Sequence, residues 1–258
     1  ANYRETIEYE GPQNIAGILV EGVTGTNGVL KPPKGFLKGL RQLCDHYGIM
    51  LMVDEVMSGF GRTGKLFGFQ HANEDPDGLE IIPDMVSMAK GLNGAYLPLG
   101  AVAMRPHLHD YFRKNPSGIG TTYNSHPVSL ASAYGALEYF LENDIIGNSE
   151  RMGNVMGQLM DELNEKHVSF KHGRAVGLFG MIDLQKNSEG APFVEYNKPA
   201  TEAIVKLTKH FRKNGLYTLV RWNSFMCNPP LIINESELRK GFDIIDAGLD
   251  ITDKYYEG

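Results

Sequence analysis

The chain has 258 residues, 42% of them hydrophobic and 22% charged, with a formal net charge of −6. These are ordinary globular values that allow one or two domains around a sizeable core, and no apolar run approaches a membrane span. An acidic balance without a basic stripe argues against nucleic acid or an anionic membrane as the main partner. The two cysteines, Cys44 and Cys227, make no metal spacing and sit in apolar contexts, so buried free thiols in a reducing, cytoplasmic setting are expected. The eight histidines include no H-x-x-x-H pair suited to zinc. No basic segment followed by an apolar one opens the chain, so no secretory signal is expected.

In chain order, a polar opening (residues 1–10) precedes a buried strand over 15–21 that ends on Glu21 and runs into Gly25-Thr26-Asn27-Gly28-Val29. Residues 34–47 carry Phe36, Leu37, Leu40 and Leu43 at helical spacing, closed by Gly48, and read as a crossover helix between parallel strands. A second strand, 48–53, stops on Asp54; after a polar loop over 73–79, a third strand-like run, 81–88, stops just short of Lys90. A short strand over 101–104, a helix over 106–112 and a long amphipathic helix over 127–141 follow, with a hinge at 143–148. Beyond it the pattern predicts a helix over 149–166, a strand over 175–184 and a helix over 199–214 stopped by Gly215. Short strands over 216–221 and 224–227 and a closing helix over 235–255 complete it. Strands alternating with helices imply an α/β protein in two domains, 1–145 and 146–258.

Asp54 and Lys90 each stand at the carboxyl end of an apolar stretch, just before a glycine-bearing turn, where α/β folds place ligands and chemistry. Either residue alone is more often a salt-bridging acid or a surface lysine. Together they suit pyridoxal 5′-phosphate (PLP), which needs a carboxylate against its ring nitrogen and a lysine for a Schiff base. The words around them are Asp54-Glu55-Val56-Met57-Ser58-Gly59-Phe60-Gly61-Arg62-Thr63-Gly64, then Pro83-Asp84 with Lys90-Gly91, then Tyr96-Leu97-Pro98-Leu99-Gly100. They closely resemble the class III (omega) family of PLP-dependent aminotransferases. The resemblance implies fold type I: a partial large domain with a central, mostly parallel sheet, plus a small carboxyl-terminal α/β domain. Residues 1–145 would be the carboxyl-terminal part of the PLP-binding domain and 146–258 the small domain. The likeness begins in the family's middle, after its phosphate turn and ring-covering aromatic residue, so the chain is expected to be an amino-terminally truncated portion.

The resemblance also implies roles. Lys90 would carry the Schiff base and then shuttle the proton, for which its amine must be neutral. Asp54 would pair with the pyridinium nitrogen. Val56, two residues on and so on the same face of an extended chain, would pack on the ring, unless it is simply core. Arg62 more plausibly holds its turn than touches substrate. In Gly120-Thr121-Thr122-Tyr123-Asn124-Ser125-His126-Pro127, the family's matching word puts Thr122 on the phosphate of the neighbouring subunit, implying a homodimer with shared sites. The competing reading makes Thr121, Thr122 and Ser125 helix caps, and His126 structural. Arg221 matches a mobile arginine that grips a substrate α-carboxylate, and Glu21 an acid that pairs with it in some relatives. Gly22 stands where proline is usual. Met57 replaces the glutamine of relatives acting on 4-aminobutyrate or ornithine. With His126-Pro127, it is more similar to the group passing amino groups from taurine, β-alanine or simple ω-amines to pyruvate. The expected function is therefore PLP-dependent transamination with small-molecule donor and acceptor and no metal. The alternatives are an aminomutase of the same family or a catalytically inactive fragment.

Overall fold

The computed structural model describes residues 2–74 and 80–258, so most of the loop expected over 73–79 lies outside the described residues. The chain divides into two compact units, Ala1–Gly25 with Leu30–Asp144 and Thr26–Val29 with Ile145–Gly258. The excursion Thr26–Val29 groups with the second unit, where the carbonyl oxygen of Gly28 accepts a 2.5 Å hydrogen bond from Arg174 Nε.

In the first unit the polar opening is a helix, α1 (Asn2–Glu10), whose single buried side chain is Ile7. One apolar position gives no period to read, which is why the sequence did not announce it. It docks through the Tyr3 ring, edge-on to Phe36 at 5.9 Å, and through Glu8, which accepts a 2.6 Å bond from Tyr47 Oη. The sheet follows chain order: β1 (Gly17–Glu21), β2 (Met50–Asp54), β3 (Met85–Met88) and β4 (Ala101–Met104). The first three run parallel and β4 antiparallel. Helix α2 (Phe36–Tyr47) makes the crossover from β1 to β2 and buries Leu37, Leu40 and Cys44. It ends at Gly48, whose φ of 69° is the left-handed cap that glycine adopts without a Cβ penalty. Its buried face joins Ile49, Leu51, Val53, Ile81 and Val86 in one core.

Strand β3 starts at Met85, later than the apolar run suggested. Pro83 offers no N–H to a ladder, and Asp84 is spent as a pin: its buried carboxylate accepts from Leu51 N and from Arg41 Nη1, each at 2.8 Å, and lies 3.4 Å from Arg105 Nη1. Helix α3 (Pro106–Lys114) and helix α4 (Pro127–Glu142) complete the unit. The apolar side chains of α4 stay exposed, Val128, Leu130, Tyr134, Tyr139 and Leu141 among them, and only Ala133 is buried.

The second unit opens with α5 (Ile145–Lys166), which begins within the segment expected as a hinge. Its antiparallel sheet has the order β5 (Phe170–Val176), β6 (Phe179–Leu184), β8 (Ser224–Cys227), β7 (Val220–Arg221). The one strand expected over 175–184 is thus the second arm of a hairpin that turns at Gly177, φ 57°. Its first arm was hidden by Lys171, His172, Gly173 and Arg174, a polar stretch on an edge strand. Helices α5, α6 (Glu202–Lys213) and α7 (Glu235–Asp253) bury Met156, Leu207, Phe211, Phe242 and Leu249 with Ile182 and Phe225 of the sheet. Asn234 and Glu237 form a reciprocal capping box at the start of α7. Just past α5, buried His167 lies between two carboxylates of α7, 2.7 Å from Asp246 and 2.7 Å from Asp253.

Candidate active site

The strand register assembles the first unit's chemistry. Glu21 pairs with Asp54 across β1 and β2, and Asp54 with Ser87 across β2 and β3. Lys90 follows three residues after Ser87, so an acid, an acid and a lysine leave the carboxyl ends of three neighbouring parallel strands. That edge is where a parallel sheet presents ligands.

Asp54 is half-buried. Its Oδ1 accepts the backbone N–H of Val56 at 2.8 Å, and its second oxygen takes no hydrogen bond among the described residues. This contact corrects the reason given for Val56. Strand β2 stops at Asp54, and Val56 opens a turn rather than continuing on the same face of an extended chain. Lys90 is exposed, its amine is unpartnered among the described residues, and its φ is 42°, the left-handed region that non-glycine residues seldom occupy. Such strain gathers at functional positions held by their surroundings. Here the surroundings are tight: a Cβ on Gly91 would come within 2.8 Å of Phe60 Cβ, so the turn after β2 sits directly against the lysine loop.

Glu55 holds that turn in place, and sequence reasoning missed it. It is fully buried, and its carboxylate accepts from Ser58 Oγ at 2.7 Å and from the N–H groups of Gly68 and Phe69 at 2.8 Å each. Burial pushes the carboxyl above its usual value, against the pull of those three donors. Its backbone N–H reaches Ser87 O at 2.9 Å, extending the β2–β3 seam one residue past Asp54. The signal was an acid set between a buried strand end and turn residues, beside the more conspicuous Asp54. Arg62 lies in the same turn, and burial lowers its guanidinium to about 10.

Glu21 Oε2 accepts Gly25 N at 2.8 Å, so this acid braces its own turn. Thr122 is exposed and makes no hydrogen bond among the described residues. The capping alternative for this word is not realised: α4 starts at Pro127 with His126 as its N-cap, which makes no side-chain cap bond. Arg221 belongs to the second unit, exposed on β7, with its guanidinium carbon 4.2 Å from the centre of the Trp222 ring. It borders a cleft of about 520 Å³ that Lys171, Arg174, Asp183 and Asn223 also line.

Among the described residues, Asp54 offers a carboxylate oxygen with no protein partner, fitted to a protonated ring nitrogen, and Lys90 an unengaged primary amine fitted to an aldehyde. The α/β sheet with this register is that of the fold type I PLP-dependent transferases. The aminotransferase class-III family model matches residues 2–249, and the chain belongs to that family, whose cofactor is PLP. It is 31% identical to a probable gamma-aminobutyrate transaminase 4 of Oryza sativa subsp. japonica, over 98% of this chain and 51% of that protein. It is also 31% identical to the 4-aminobutyrate aminotransferase GabT of Escherichia coli, over 93% of this chain and 53% of that one. Among solved structures, the taurine:2-oxoglutarate aminotransferase of Bifidobacterium kashiwanohense, in complex with PLP and glutamate, superposes with a TM-score of 0.91 at 33% identity. That match covers 99% of this chain and 56% of the other. The chain therefore spans about half the length of the curated relatives it matches.

Proposed function

We propose that the protein catalyses PLP-dependent transamination, moving an amino group from an ω-amino acid or amine, such as taurine or β-alanine, to a keto acid such as pyruvate. The observation that carries this is the register placing Asp54 and Lys90 at adjacent strand ends, each with an unengaged functional atom. Bound PLP would supply an aldehyde and an electron-accepting ring. Lys90 Nζ would hold the cofactor through its aldehyde carbon. Freed from it by the incoming amine, Nζ would take the proton from the carbon bearing that amine and return it to the cofactor side. Asp54 would keep a proton on the ring nitrogen, and Val56 N, fixed to Oδ1, would keep that carboxylate from rotating away. Glu55 would act through the turn, holding Val56 and Phe60 against the Lys90 loop.

For the substrate, Arg221 would pair with an α-carboxylate, the contact suited to a bidentate guanidinium. Thr122 would reach the cofactor phosphate of a second copy, making the working unit a homodimer with shared sites. Residues 1–145 would be the carboxyl-terminal part of the cofactor domain and 146–258 the small domain. Met57 and His126 support the pyruvate-using group, whereas the named relatives favour 4-aminobutyrate or, with 2-oxoglutarate, taurine.

The test uses the full-length protein loaded with PLP. Taurine, β-alanine and 4-aminobutyrate are offered against pyruvate and against 2-oxoglutarate, and borohydride reduction with peptide mapping locates the pyridoxyl group. Amino transfer with the label on Lys90 is expected. A label on another lysine, or isomerisation of one amino substrate without any acceptor, would overturn the reading.

A further inference from the structure

Strands β7 and β8 are joined by a two-residue turn, Trp222-Asn223, with Arg221 paired to Ser224 across it. Trp222 has a φ of 52°. A positive φ at the first position of a two-residue hairpin is the place of glycine, and a large side chain there costs conformational energy. The turn is held regardless. Asn223 Nδ2 donates to Val194 O at 2.9 Å, its Oδ1 accepts from Val194 N at 2.8 Å, and its carbonyl accepts from Leu184 N at 2.7 Å. The turn's polar anchoring falls on Asn223, and the half-buried indole packs one side against the second unit's core. Its remaining ring contacts are the Tyr196 ring, centroid to centroid at 4.9 Å, and the Arg221 guanidinium stacked at 4.2 Å. No carboxylate is within ion-pairing distance of Arg221 among the described residues, so its charge rests on an aromatic face in a cleft.

We infer that Trp222 is the resting platform of Arg221: the strained turn presents the indole so that the guanidinium stacks on it when no substrate carboxylate is present. An acidic substrate then has to draw the arginine off the ring, whereas an amine without a carboxylate leaves it there. Trp222 is a positioning residue in this sense, and it sets how strongly the enzyme prefers carboxylate-bearing substrates over simple amines. A cation on an aromatic face is a moderate attraction, and a guanidinium held there part of the time lowers carboxylate affinity by the fraction so held. The inference rests on the proposed role of Arg221 as the carboxylate-binding residue.

Trp222 is the one tryptophan of these 258 residues. In the full-length protein, the emission lost in Trp222→Phe isolates the signal of this indole. Its acrylamide quenching constant is expected to rise in Arg221→Ala, which uncovers one face. In the unsubstituted protein it is expected to rise as glutarate, an unreactive dicarboxylate, is titrated in, and in Arg221→Ala to ignore glutarate. Quenching unchanged in Arg221→Ala would show that the arginine does not rest on the ring and would overturn the inference whether or not the enzyme transaminates. The kinetic arm uses Trp222→Gly, which suits a φ of 52° and so keeps the turn. Its KM for the keto acid is expected to fall about five-fold, with kcat unchanged and KM for a simple amine unmoved, and Trp222→Phe should fall between. An unchanged or raised keto-acid KM in a folded Trp222→Gly protein would overturn the platform. Glutarate that leaves quenching unmoved, while Arg221→Ala alters it, would instead fault the carboxylate role on which the proposed function relies.

Discussion

The carboxylate of Glu55 occupies the space directly over Gly22 that a side chain would need. A Cβ built on Gly22 collides with Glu55 Oε1 and comes within 2.7 Å of Phe69 N, an atom that Glu55 itself fixes. Gly22→Ala is therefore expected to destabilise the first unit by about 1–3 kcal/mol, the usual range for overpacking a tight site. Urea unfolding reads this directly. A change under about 0.5 kcal/mol would mean that Glu55 gives way freely.

Removing the negative charge at the end of β2 tests the proposed chemistry apart from folding. Asp54→Asn keeps an acceptor for Val56 N, so the turn should persist. Turnover in the full-length protein is expected to fall by about 10²–10³, as when other preorganised electrostatic groups are removed. Lys90→Ala should abolish amino transfer altogether. Near-normal turnover by Asp54→Asn would remove the case for its contact with the ring nitrogen.

Asp84 gives the fold an acid-sensitive seam. Its burial alone would raise the carboxyl, but the hydrogen bonds and charge of Arg41, the Leu51 N–H and Arg105 outweigh that and hold it below the usual range. A depressed folded-state value contributes stability that is present above the unfolded value, about 3.9, and is lost as pH falls through the folded one. Stability of the unsubstituted protein should thus decline more steeply below about pH 4 than that of Asp84→Asn. Arg41→Ala, which takes the nearer cation from a buried carboxylate and leaves it Leu51 N and the longer Arg105 contact, should cost about 3 kcal/mol at neutral pH. Parallel acid-denaturation curves for the two proteins would contradict the seam.

Both thiols should be inert while the chain is folded. Burial raises Cys44 and pushes Cys227 up to about 12, so neither supplies appreciable thiolate at neutral pH. An aromatic disulfide reagent is expected to titrate both only after denaturation. Prompt labelling of either in the native protein would show that its region opens.

The parallel strands and α2 were legible because each pairs a steady apolar period with a clear stop: Gly48 after the helix, and Asp54 and Lys90 after strands. Asp54 and Lys90 stood out as a pair, each closing an apolar run just before a glycine-bearing turn, although either alone is ordinary. Elements with weak contrast were not. Helix α1 buries only Ile7, and β5 is a polar edge strand whose partner absorbed its signal. Glu55 and Asp84 were hidden for another reason. Their task is to satisfy backbone N–H groups of residues distant in sequence, Phe69 and Leu51, and no local pattern encodes such a partner. The departure at Gly22 was visible, but its meaning required knowing what stands above it.

The spacing of the strands also orders events in time. The first unit's sheet joins Gly17 to Met50 and Met52 to Met85, so each pairing must close a long loop before any hydrogen bond repays it. In the second unit, Val176 meets Phe179 across a tight turn and Arg221 meets Ser224 across another. Short-range pairing is the faster kind. The hairpins carrying Arg174 and Arg221 are therefore expected to acquire amide-exchange protection early in refolding, and the edge bearing Asp54 and Lys90 to be completed late. Until then the β2–β3 pairing that sets Asp54 beside Ser87, three residues before Lys90, does not exist, and the two side chains share no edge.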